Sequence, residues 1–195
     1  MNKVMLDLET MGTGPNSAII AIGAVEFCPD TKTLGREFYS TVCLRSSVRR
    51  GGVIDADTVM WWLGQEDCAR RALVEDVKSI DTALDCFSHW IYRGEDIEVW
   101  GNGAAFDNVI LAQAYKRCDL EAPWPFWGDR CYRTLKALNP HIKMDRQGVH
   151  HNALDDAISQ ARHLIDILTA NASLSGAPLA ARPLEALVSP HGQKG

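Results

Sequence analysis

The chain has 195 residues, 46% hydrophobic and 23% charged, with a formal net charge of −5 and a pI near 5.6. That length suits one globular domain with an ample core. The acidic balance excludes a tight non-specific binder of duplex nucleic acid, which leans on many Lys and Arg phosphate contacts, but not a site that grips a few nucleotides.

Lys3 to Leu8 is short and apolar and ends in acids, which predicts a strand delivering side chains to the edge of a sheet. Gly12 to Asn16 breaks it as a turn. Ala18 to Phe27 is rich in β-formers and reads as a second strand; Pro29 to Lys32 turns, and Gly35 to Leu44 alternates as a third. Ser46 to Asp55 is polar and glycine-containing, a loop. Helices are expected over Asp55 to Leu63, capped by Asp55 or Asp57, over Gln65 to Leu73, and over Ser79 to Tyr92, where Ile80, Leu84, Phe87 and Ile91 recur at helical spacing. Ile97 to Trp100 is a buried strand running into Gly101-Asn102-Gly103, and Ala105 to Cys118 a helix. A Pro- and Trp-rich loop follows over 123–128, then a short element from Asp129 to Leu138 that Asn139-Pro140 stops.

The strongest helical pattern is Ala153 to Leu168, with Ala157, Ala161, Leu164, Ile165 and Leu168 facing inward. From Asn171 onward periodicity is lost, giving an expected division into a domain over 1–170 and an extension over 171–195, loosely held beyond about residue 185. Three strands followed by alternating helices and strands predict an α/β domain with a mixed sheet flanked by helices. No apolar run approaches the ~20 residues that span a bilayer. Met1-Asn2-Lys3 leads straight into the first strand with no signal peptide, so no membrane association and a cytoplasmic location are expected. Six scattered cysteines, without a C-x-x-C pair, predict thiols rather than a disulfide framework.

Four acids and a histidine carry the chemistry. In D-L-E, Asp7 and Glu9 alternate by two along a strand, so both emerge on one face, as two oxygen ligands for a hard divalent cation or as hydrated acids at a strand end. Asp107 closes N-G-A-A-F-D in the first turn of a helix, where it serves a site or merely the helix terminus. Asn102, after a buried strand, offers a donor and an acceptor beside glycines that let a substrate backbone approach. In H-N-A-L-D-D, His151 precedes a helix and Asp156 lies one turn in, alongside the buried stripe, whereas Asp155 lies nearer solvent. Strand ends where helices begin are where ligands gather in such sheets. Trp61 and Trp62 cannot share a helix face, so one is core and the other, with Met60, a platform on which a base could stack. Trp124, Phe126 and Trp127 carry the same ambiguity. Arg130 and Arg133 are phosphate contacts or simply solvated.

Taken in order, D-x-E, N-x-x-x-F-D and H-x-A-x-x-D resemble the three motifs of the DEDDh 3′–5′ exonucleases, within the ribonuclease-H-like superfamily. The W-G-N-G-A-x-F-D-N form is similar to that of phage and prophage exonuclease VIII-like proteins and a mycobacterial-type exoribonuclease group. The resemblance spans residues 3 to 168. It implies a ribonuclease-H-like fold, two Mg²⁺ or Mn²⁺ ions held by Asp7, Glu9, Asp107 and Asp156, and His151 as general base. It implies release of 5′ nucleoside monophosphates from the 3′ end of single-stranded RNA or DNA. Thr10 and Met11 would sit against the terminal nucleotide, with Asn102 approaching the same end, and Trp62 completes the expected substrate contacts. Met11 departs from the threonine or small residue usual there. The resemblance admits a phage or prophage origin, and a homodimer, since exposed tryptophans suit an interface as well as a substrate. The alternatives are a ribonuclease-H-type endonuclease and a catalytically silent nucleic-acid-binding module of the same fold.

Overall fold

The computed structural model describes residues 1–91 and 94–175. Tyr92 and the end of the expected extension lie outside the described residues. Five strands form one mixed sheet: β1 (Lys3–Thr10), β2 (Ile19–Cys28), β3 (Thr33–Thr41), β4 (Glu98–Gly101) and β5 (Asp129–Cys131), in the order β3-β2-β1-β4-β5. The first three pair antiparallel through short turns, while β4 and β5 join the other edge in parallel, each after a helical crossover.

Strand β1 is central, and its alternation sorts two cores. Val4, Leu6 and Leu8 face α4 (Ile80–Trp90) and α5 (Asp107–Arg117), where Leu84, Phe87, Ile110 and Leu111 complete a cluster sealed from water. Met5 faces the other way, toward α6 (Tyr132–Leu138) and α7 (Ala153–Ser175), with Tyr132, Ala157, Ala161 and Leu164. By the same period of two, Asp7 and Glu9 fall on the α7 side. Gly23 pairs with Asp7 across β1 and β2, and a Cβ there would come within 2.1 Å of the Ala153 backbone. Only glycine lets the start of α7 lie this close to the sheet.

The remaining helices are α1 (Leu44–Arg49), α2 (Ala56–Leu63) and α3 (Asp67–Ala72). Asp55 caps α2, its carboxylate accepting from Asp57 N at 2.8 Å and Thr58 N at 3.3 Å. Three expectations change. Part of the loop predicted from Ser46 is helix α1, because Ser47 Oγ accepts from Ile19 N and Ser46 Oγ from Ile80 N; the serines are structural acceptors, not solvated loop residues. The segment from Asp129 to Leu138 divides into β5 and α6. Helix α7 also continues to Ser175, past the predicted end at Leu168. All six cysteines are free. Among the described residues, no helix is long and apolar enough to cross a membrane.

Candidate active site

Three elements converge on one cleft of about 500 Å³. Strand β1 brings Asp7 and Glu9 to its C-terminal end, where the register with β2 shifts between Glu9 and Thr10; such a bulge re-aims side chains at a strand end. Asp107 comes from the first turn of α5. Its approach depends on Gly101, where a Cβ would sit 3.1 Å from the Asp107 side chain and 2.3 Å from Asn108 Oδ1. Beyond the last β1–β4 pair, at Leu6 and Gly101, the Leu8 amide donates to Asp107 Oδ1 at 3.2 Å. Asp107 Oδ2 is buried and has no hydrogen-bond partner.

Helix α7 and the turn before it supply the third side. Asp156 lies one turn into α7 and is 7% exposed, as is Glu9. One carboxylate oxygen each of Asp7, Glu9 and Asp156 lie within 4.8 Å of one another. His151 has φ of 64°, a left-handed conformation that folds the chain so that its amide donates to Asp156 Oδ2 at 3.1 Å while its ring enters the cleft. That ring packs edge-on against Trp61, with centroids 4.8 Å apart, and stacks on His150 at 3.7 Å. A ring atom of His150, one of His151 and a carboxylate oxygen of Asp156 form a second convergent group.

The crowding has electrostatic consequences. Removal from water, then the charges of Asp107 and Asp156, raise the Asp7 carboxyl well above the ordinary range. Burial and then Asp7, Asp156 and Asp107 push Glu9 up to about 10. Burial lifts Asp107 to about 7 against the amide hydrogen bonds that favour its charge. His151 moves the other way: burial and the neighbouring His150 lower its pKa, outweighing Asp156. Two groups temper the acids. Gln160 Nε2 donates to Asp7 Oδ1 at 2.7 Å, and Arg146 pairs with Asp156 Oδ1.

The structure brings all five acid and histidine candidates together. Thr10, Asn102 and Trp62 also line the cleft. Met11 does not: it lines a neighbouring apolar hollow with Ile20, Val42 and Leu73, on the far side of Trp62. The tryptophan pair also divides differently from a platform at Trp62. Trp62 is 4% exposed, its indole donating to Thr10 O at 2.9 Å, whereas Trp61 is 45% exposed and lines the cleft. Trp124 is core, donating to Asp129 Oδ1, while Phe126 and Trp127 are exposed. Arg130 is tied to Trp127 O and Glu98. Sequence reasoning assigned no role to Arg146 or Gln160; the signal for Gln160 was its place one turn after Asp156 on the buried face of α7.

Residues 2–168 match the family described as the 3′-5′ exoribonuclease Rv2179c-like domain. The chain belongs to this family. It is therefore a 3′–5′ exonuclease, as the order of its motifs predicted. An exodeoxyribonuclease of Enterobacteria phage T4 is 26% identical over 71% of this chain and 72% of its own. Among solved structures, Exonuclease X in complex with 5′ overhanging duplex DNA superposes with a TM-score of 0.56 and 22% identity, covering 90% of this chain and 94% of that one. The nuclease domain of 3'hExo, a DEDDh family member bound to rAMP, gives 0.60 and 15%, covering 86% and 92%. The mixed sheet of this family member is thus the ribonuclease-H-like one of the DEDDh exonucleases.

Proposed function

We propose that the chain hydrolyses single-stranded nucleic acid from its 3′ end with the help of divalent cations, releasing 5′ nucleoside monophosphates. The observation that carries this reading is the meeting of Asp7, Glu9 and Asp156 within 4.8 Å beside Asp107 and His151 in one cleft. The donor set fits hard cations: every ligand is a carboxylate oxygen, Asp107 Oδ2 is buried without a partner, and among the described residues Arg146 is the only side-chain cation paired with the cluster. Asp7, Glu9, Asp107 and Asp156 would hold two Mg²⁺ or Mn²⁺ ions, which supply Lewis-acid stabilisation of the phosphate and acidify the attacking water when bound.

The chain's own residues do the rest. His151 accepts the proton of the attacking water, and Trp61 and His150 hold its plane. Gln160 fixes the rotamer of Asp7. Trp61, exposed at the cleft, is where the terminal base can pack, and Thr10 and Asn102 approach its sugar. The family's description names RNA, whereas the phage relative is named for DNA; the sugar is therefore left to the test.

That test offers 5′-labelled single-stranded RNA and DNA of matched sequence with Mn²⁺, Mg²⁺ or EDTA, beside Asp7→Ala. The expected result is a metal-dependent ladder shortening from the 3′ end, absent in the variant, with the faster strand naming the substrate. Internal cuts in a circular strand would overturn the reading in favour of an endonuclease.

A further inference from the structure

The active-site cleft does not end at the acids. At Asn102 and Arg133 it abuts a second hollow of about 510 Å³, which both residues also line. Its walls are α6 and the loop after it, which contribute Lys136, Lys143 and Met144, and no carboxylate lines it. In a chain of net charge −5 this is a local reversal of sign.

Three facts make it a built groove rather than a chance of surface lysines. Arg133, Lys136 and Ala137 stand at positions i, i+3 and i+4 of α6 and so share one helix face. Among the described residues, none of Arg133, Lys136 and Lys143 has an ion-pair partner, so their charges are open to an anion in the groove. The groove is also held in shape from beneath. His163 of α7 is 2% exposed; its Nε2 donates to Ile142 O at 2.9 Å, and its Nδ1 meets the Tyr132 hydroxyl at 2.7 Å. One buried ring thus ties α7, α6 and the loop together. Lys136 lies over the Tyr132 ring at 6.0 Å, and the Arg133 guanidinium covers Gly103, where a Cβ would come within 3.3 Å of it.

The two ends of the combined channel differ in chemistry. Around Trp61, Trp62, Thr10 and Asp57 the lining is aromatic, hydroxyl-bearing or acidic and carries no Lys or Arg, which suits an uncharged base and sugar. From Arg133 onward it is basic, which suits phosphates. We infer that the groove formed by Arg133, Lys136 and Lys143 carries the phosphodiester backbone of the substrate strand on the 5′ side of the bond being cut. This inference rests on the exonuclease reading of the same cleft and adds a polarity to it: terminal nucleoside toward Trp61, remaining strand toward Lys136 and Lys143.

The test compares wild-type protein with Lys136→Ala/Lys143→Ala on a single strand of about ten nucleotides and on a dinucleotide, over a range of salt. Lys116→Ala/Arg49→Ala, outside both hollows, is the charge-matched control. The dinucleotide is too short to reach the lysines, so its hydrolysis should be unchanged. On the longer strand KM should rise several-fold at unchanged kcat. The slope of log(kcat/KM) against log[salt] should become shallower by about 1.4, two phosphates at about 0.7 each for single strands. Lys136→Arg/Lys143→Arg should restore both. An unchanged slope in a protein that still shortens the strand, an equal slope change in the control, or an equal loss on the dinucleotide would overturn the groove assignment alone. Failure of the wild-type protein to shorten any strand with either metal would instead overturn the exonuclease reading beneath it.

Discussion

The two faces of the central sheet are built from the same strand to opposite ends. On one, Val4, Leu6 and Leu8 meet α4 and α5 in a wall of aliphatic and aromatic side chains. On the other, Met5 begins an apolar patch that gives way within one pleat to Asp7 and Glu9 under α7. The first face spends its burial on cohesion. The second holds like charges together at a cost visible in the raised carboxyl pKa values of Asp7, Glu9 and Asp107. One strand can do both because its period of two never mixes the sets, and because the apolar face stabilises a fold that the charged face strains.

The largest expected effect that would sharpen this contrast is at Asp156. Asp156→Ala should abolish turnover while leaving the melting temperature equal or higher, since repulsion in the cluster is relieved. Asp155→Ala should keep turnover, because that carboxylate accepts from Val149 N at 2.7 Å in the loop and points away from the cluster. Parallel melting and ladder assays read both, and a destabilised Asp156→Ala would contradict the idea of a strained face. Next, His151→Ala should lose about 10²–10⁴ in kcat, the range for a positioned general base, without loss of fold. Single-turnover kinetics at saturating metal would show it, and a rate within a few-fold of wild type would remove His151 from the chemistry.

The apolar face predicts the converse. Leu6→Ala, at a site with no exposure, should cost about 2–5 kcal/mol in urea unfolding while leaving kcat per folded molecule near wild type. A kcat that falls with stability would mean that the two faces are coupled.

The smallest effect lies at the sheet edge. Burial raises the Glu26 carboxyl, but hydrogen bonds and charge from Arg36 outweigh it and leave its pKa below the ordinary value. A lowered folded pKa stabilises above the unfolded value, and the gain is lost as pH falls through the folded one. Arg36→Ala should therefore lower the melting temperature slightly at neutral pH. The difference should fade as the medium is acidified below the ordinary glutamate range, and a difference constant with pH would assign it to the packing of Arg36 on Trp90 instead. The Arg36 side chain is 57% exposed, so the effect should be small.

Much of this arrangement was legible in the chain. Alternation placed Asp7 and Glu9 on one face, helical period placed Asp156 beside the buried stripe, and motif order joined them to Asp107 and His151. What escaped is what depends on residues far apart in sequence. Ser46 and Ser47 looked like loop residues because their amide partners, Ile80 and Ile19, are distant. Which of Trp61 and Trp62 would be exposed turned on Thr10 O, which claims the Trp62 indole. Met11 follows the acids on β1, but the chain turns there, and its side chain ends in the apolar hollow. Arg146 precedes Asp156 by ten residues on a polar segment and announces nothing until the loop folds back.

Gly23 bears on how far the family's chemistry can be altered by design. Because position 23 pairs with Asp7 and touches the first residue of α7, the distance from Asp7 to Asp156 is gauged by a hydrogen atom where any other residue has a carbon. Alanine there would drive the helix outward and carry Asp156 and Gln160 with it. An engineer who wished to change the spacing of these acids would thus find the adjusting screw in a residue that does not line the cleft.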